Sequence, residues 1–130
     1  MKKFAVISDS SLDIDQKSVE ENEIAIVPYM VSFDSSDYKA DRLEIDVREF
    51  FEKVAENPGI YPKTSMPAIG VYYERMKEAA EKGQDIICVC MSAKFTTSYQ
   101  SARTAAEMIR DEYPDIKVTV IDSTLATVLE

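Results

Sequence analysis

Apolar residues along this chain follow two periods. Ile86–Met91 (IICVCM) is a continuous apolar run. A run this short fits a strand covered on both faces, as in a parallel sheet. After it, Tyr99, Ala102, Ala106, Ile109 and Tyr113 recur at helical spacing until Pro114 interrupts the pattern. Between the two lies Ser92-Ala93-Lys94-Phe95-Thr96-Thr97-Ser98, with Thr97 and Gln100 in capping-box spacing. Strand, hydroxyl-rich turn and helix in that order deliver the turn to the carboxyl edge of a sheet, where α/β folds bind ligands. Helix N-termini also carry N–H groups and a partial positive charge that attract anions.

The rest of the chain repeats the alternation. Phe4–Ile7 predicts a strand stopped by Ser8-Asp9-Ser10-Ser11, and the polar stretch 12–22 predicts a short helix. Ile24–Phe33 predicts a second strand region. Pro28 interrupts it, so it is either an edge strand or a strand with a bent extension. A charged loop follows over 34–44. Asp46 and Glu49 then open a helix whose Val47, Phe50, Phe51 and Val54 form an apolar stripe, ended by Asn57-Pro58-Gly59. Tyr61–Pro67 reads as an extended connection. The next helix carries Ile69, Tyr72, Tyr73, Met76 and Ala80 on one side and stops at Gly83. Lys117–Ile121 is the last strand, and 125–130 reads as the first turn of another helix. Such alternation predicts a single domain over 1–130, a small three-layer α/β sandwich with about four parallel strands.

Composition narrows the function. The net charge is −9 and the isoelectric point about 4.6. Nucleic acid and anionic membrane surfaces both call for a basic face, so neither is an expected partner. Histidine is absent, which removes histidine triads and histidine metal sites. Cys88 and Cys90 alternate within one strand and read as small core residues. Lys2-Lys3 precedes too short an apolar run for a signal peptide, no stretch is long enough to span a bilayer, and the expected location is cytoplasmic.

Hydroxyl residues follow every predicted strand: Ser8, Ser10 and Ser11; Ser32, Ser35 and Ser36; Ser92, Thr96 and Thr97; Ser123 and Thr124. In a parallel sheet these turns share one edge, and a rim of hydroxyls with backbone N–H groups suits an oxygen-rich anion. Ser and Asp also favour turns for local reasons, so each cluster alone reads equally as a turn. The three glycines form neither a dinucleotide fingerprint nor a phosphate loop. Asp9 is placed like an aspartyl-phosphate nucleophile, but Ser11 stands where a phosphatase usually carries a second acid.

Three stretches together resemble the DegV family of bacterial fatty-acid-binding proteins: I-S-D-S-S-L-D-I at 7–14, Y-P-K-T-S-M-P at 61–67 and M-S-A-K-F-T-T-S-Y-Q-S-A at 91–102. V-I-D-S at 120–123 is a weaker fourth. The resemblance implies a protein that holds one long-chain fatty acid and presents it to a fatty-acid kinase. The kinase performs the chemistry, so this chain is expected to be a carrier without turnover or cofactor of its own. Carried over by position, Thr64 and Thr96 would hold the carboxylate. Asp9, Ser10, Ser65, Ser92, Thr97 and Ser123 would support them. Thr96 stands where the family usually has Ser, Met66 where it has Gln, and Thr97 where it has Gly; a β-branched residue there predicts a reshaped turn and a narrower pocket. The family continues into a second lobe that these 130 residues lack. The resemblance therefore implies a first lobe that alone binds fatty acid weakly or not at all and self-associates through an uncovered apolar surface. Three other readings stand beside it: a flavodoxin-like domain cradling a flavin phosphate at Ser92–Ser98, a hydrolase using Asp9, and an interaction domain without ligand.

Overall fold

The computed structural model describes residues 3–126. The elements are β1 (Phe4–Asp9), α1 (Gln16–Glu21), β2 (Ile24–Val27), β3 (Met30–Ser32), β4 (Lys39–Ala40), α2 (Val47–Glu56), β5 (Lys63–Ser65), α3 (Ile69–Ala80), β6 (Asp85–Cys90), α4 (Ser98–Glu112) and β7 (Val118–Asp122). They form two compact bodies, one of residues through Val27 and from Pro67 onward, the other Pro28–Met66. The helical turn expected over 125–130 falls largely on 127–130, outside the described residues.

The first body is the expected α/β arrangement. Its sheet has four strands in the order β2-β1-β6-β7, and every neighbouring pair is parallel. β1 runs two residues further than its apolar pattern suggested. Ser8 and Asp9 stay in the ladder opposite Ile26 and Val27, and both are buried. α3 and α4 pack against the face that carries Ile7, Ile86, Cys88 and Cys90. β6 is thus buried at alternate residues, whereas Ile87 and Val89 are half-buried. The expectation of burial on both faces is corrected: successive side chains point to opposite faces, and these two helices cover one of them.

The helical patterns hold where they meet this sheet. Ala102, Ala105, Ala106 and Ile109 of α4 are fully buried. Small alanines three and four apart let the helix lie close to α3. Tyr72 and Met76 of α3 are also fully buried, while Ile69 at its start stays exposed. Each large buried side chain contributes about 1.5–3 kcal/mol relative to exposure. Past the end of α3, Gly83 adopts φ +68° and its N–H donates to Ala80 O at 2.9 Å. Only glycine takes that left-handed conformation without a steric cost.

The second body holds a sheet that the hydrophobic pattern did not reveal. Its order is β4-β3-β5, and both pairings are antiparallel. The segment after Pro28 is a strand of this sheet, the bent-extension alternative. β4 lies within the stretch read as a charged loop. Asp46 caps α2 as expected, accepting Glu49 N–H at 2.8 Å. The apolar stripe of α2 is not a core face, because no residue of this helix is buried; Val47 is 52% and Phe51 63% exposed. Strands of two and three residues are too short to cover a helix of ten. Phe50 instead packs at 5.5 Å on the Phe33 ring and at 5.3 Å edge-on to Phe51. No helix among the described residues is long and apolar enough to cross a membrane.

Candidate functional site

Register aligns the strand ends of the first body. Asp9 lies opposite Val27, Ser8 opposite Val89 and Cys90 opposite Asp122. The segments after β1, β6 and β7 therefore leave from one edge. They carry Ser10, then Ser92, Thr96 and Thr97, then Ser123, with Asp9 as the last residue of β1 beside them. Thr64 and Ser65 stand on β5 of the second body, exposed, paired opposite Val31 and Met30.

The turn between β6 and α4 is held by its neighbours. Met91 N–H donates to Asp9 Oδ2 at 3.0 Å, Ser92 N–H to Leu125 O at 2.9 Å, and Ala93 N–H to Asp122 Oδ1 at 3.3 Å. Inside the turn, Lys94 N–H donates to Ser92 Oγ at 3.3 Å and Phe95 N–H to Ser92 O at 2.9 Å. These N–H groups are spent on the fold. The expectation that the turn's backbone offers an amide cradle to an anion is corrected at these positions.

Thr96 is the half-buried hydroxyl of the turn, and its Oγ1 accepts Ser98 N–H at 3.2 Å. A hydroxyl that accepts one hydrogen bond becomes a better donor through its own hydrogen, and a carboxylate needs a donor. Thr97 is the N-cap of α4 but makes no side-chain cap bond, which corrects the capping-box expectation. Its φ of −88° and ψ of 8° are open to any L residue, so a threonine sits here without left-handed backbone.

Asp9 is fully buried, and its other oxygen, Oδ1, accepts both the Ser11 N–H at 3.0 Å and the Ser11 hydroxyl. Both carboxylate oxygens are therefore structural acceptors. Ser10 is buried, and its N–H donates to Val27 O at 3.0 Å. Ser123 N–H closes on Cys90 O at 3.0 Å, and its hydroxyl donates to Leu125 O at 3.1 Å.

Sequence reasoning missed two residues beside this turn. Asp122 ties the turn to β7, and Tyr72 reaches it from α3. The Tyr72 phenol and the Ser98 hydroxyl, both fully buried, share a hydrogen bond of 2.5 Å, and Cys90 Sγ donates to the same phenol at 3.9 Å. Burial, reinforced by the nearby Cys90 thiol, pushes the phenol well above its ordinary value of 10.0, so it stays protonated. Helical spacing marked Tyr72 as core, and a period cannot show that a core aromatic carries a polar tip with a partner. Among the described residues, no group of three or more Cys, Asp and Glu side chains is placed to hold a metal.

Comparison with known proteins places the chain in a lineage. The model of the DegV family, described as an uncharacterised protein family, matches residues 3–130. A DegV domain-containing protein of Staphylococcus aureus strain N315 is 35% identical over 129 residues, which are 98% of this chain and 43% of that protein. The crystal structure of a stearic-acid-binding protein from Eubacterium ventriosum superposes with a TM-score of 0.91 at 32% identity, over 95% of this chain and 42% of that one. A Thermus thermophilus DegV family protein, described by its fatty acid binding, gives a TM-score of 0.79 at 28% identity, over 98% of this chain and 43% of that one. The chain spans less than half the length of each of these relatives. With its parallel sheet, its hydroxyl turn and a family match across nearly every residue, the chain belongs to the DegV family.

Proposed function

We propose that this chain takes part in binding a long-chain fatty acid, with Thr64 and Thr96 donating hydrogen bonds to the carboxylate. One observation carries the reading: the fold agrees at a TM-score of 0.91 with a relative described as binding stearic acid. The Thr96 turn supports it, because its Oγ1 is held in place by Ser98 N–H. Ser65, Ser92, Thr97 and Ser123 are supporting hydroxyls in this reading, while Asp9 and Ser10 hold the strand ends. The chain is then a carrier that performs no chemistry on the acid. The same reading makes a fatty-acid kinase the protein to which the bound carboxylate is presented.

Magnitudes decide how to test it. Burying an acyl tail contributes about 0.8 kcal/mol per methylene, and that depends on the walls that enclose it. A hydroxyl bond to a carboxylate contributes about 1.5–3 kcal/mol whatever the tail does. The informative quantity is therefore the difference between variants. Dodecanoate, below its micelle threshold, is titrated into the wild type and into Thr64→Val, Thr96→Val and Thr96→Ser. Each valine variant is expected to weaken binding about tenfold or more, and Thr96→Ser to retain it. Equal affinity across all four proteins would remove both threonines from the site.

A further inference from the structure

We propose that Tyr72 is a positioning residue for the Thr96 hydroxyl, acting through Ser98. The inference rests on the fatty-acid reading and adds to it a residue from another helix. Three links make the path. Tyr72 Oη lies 2.5 Å from Ser98 Oγ, Ser98 N–H donates to Thr96 Oγ1 at 3.2 Å, and Cys90 Sγ lies 3.9 Å from the same phenol oxygen. Cys90 is the last residue of β6 and Ser98 the first of α4. The phenol thus touches both ends of the turn that carries Thr96.

The surroundings explain why the pair serves geometry more than stability. Tyr72 and Ser98 are fully buried, in a seam where Met76, Ala102, Ala105 and Ala106 supply apolar packing. Sinking two hydroxyls there costs desolvation, which their mutual bond roughly offsets. A phenylalanine with an alanine opposite would fill nearly the same volume. What only the polar pair supplies is direction. A bond with one preferred geometry fixes the rotation of the first turn of α4, and with it the line along which Ser98 N–H meets Thr96 Oγ1. A binding hydroxyl is effective only when its support holds it to within a fraction of an ångström.

The test uses the 130-residue chain with Tyr72→Phe, Ser98→Ala, Ser98→Thr and Thr96→Val, each checked for folding by circular dichroism. The first readout needs no ligand: amide exchange at Ser98. Tyr72→Phe is expected to speed it, while Ala105 and Ile109 in the middle of α4 keep their protection. Unchanged exchange at Ser98 overturns the inference. The second readout is the ratio of decanoate to decanol affinity, which isolates the carboxylate from the tail. Tyr72→Phe and Ser98→Ala are expected to reduce the ratio about five- to tenfold, and Ser98→Thr, which keeps a hydroxyl, to preserve it. If Thr96→Val lowers the ratio and Tyr72→Phe does not, Tyr72 is core packing only and the fatty-acid reading stands. A wild type that does not prefer decanoate to decanol overturns that reading and this inference together.

Discussion

Asp9 and Met91 are joined across 82 residues of chain by a single bond, from the Met91 N–H to the Asp9 Oδ2 at 3.0 Å. It ties the end of β1 to the residue at which β6 turns towards Thr96. Asp9→Asn keeps the shape but replaces one acceptor oxygen with a donor, and the Ser11 N–H, the Ser11 hydroxyl and the Met91 N–H all donate to this carboxylate. The variant is expected to lose about 1–3 kcal/mol in urea unfolding and to exchange its Met91 amide faster. Full wild-type stability would show that the tie is dispensable.

Thr97 lends itself to a backbone test. Its φ of −88° does not call for glycine. Thr97→Gly therefore only widens the conformational freedom of the unfolded chain, and is expected to cost about 0.5–1 kcal/mol. A stabilised variant would mean that the turn strains its β-branched residue.

Asp34 should govern the acid response of its own loop. Its Oδ1 accepts Ser36 N–H and Asp37 N–H, each at 2.8 Å, and Ser32 Oγ at 3.0 Å. The Asp37 N–H, followed by Ser36, holds the carboxyl well below its ordinary value of 3.8. A depressed value means that the folded state favours the charged form. The contribution is therefore complete above pH 3.8 and is lost as pH falls below it through the folded value. The Ser36 and Asp37 amide resonances are expected to titrate with a midpoint well under 3.8. A midpoint at or above that value contradicts the loop geometry.

Two apolar truncations should separate core from surface. Ile109 is fully buried, and Ile109→Ala is expected to cost about 2–5 kcal/mol. Phe51 is 63% exposed and touches the Phe50 ring, so Phe51→Ala should cost less than about 1 kcal/mol. Unfolding at several protein concentrations checks both figures. A Phe51 cost that grows with concentration would mark self-association through the stripe of α2.

Local pattern was enough for the parallel sheet and its helices. The short apolar run at Ile86 fitted a strand, and Ala102, Ala106 and Ile109 fitted one helix face, and both readings held because these segments meet partners large enough to bury them. Hydroxyls after the strands were legible for the same reason: turns concentrate them, and parallel register collects turns at one edge. Where the partner is small, the pattern misled. Val47 and Phe51 have the spacing of a core face but are 52% and 63% exposed, in a body whose strands are only two and three residues long.

Tertiary structure alone decided how the edge is wired. Thr97 and Gln100 have the spacing of a capping box, yet Thr97 makes no side-chain cap bond, and it is Thr96 whose Oγ1 accepts a helix N–H, that of Ser98. Asp9 spends its oxygens on Ser11 and Met91, and Tyr72 crosses from α3 to Ser98. A sequence states which groups can donate and accept. Which of them meet depends on how distant segments stack, and a buried polar group takes the partner that packing places beside it.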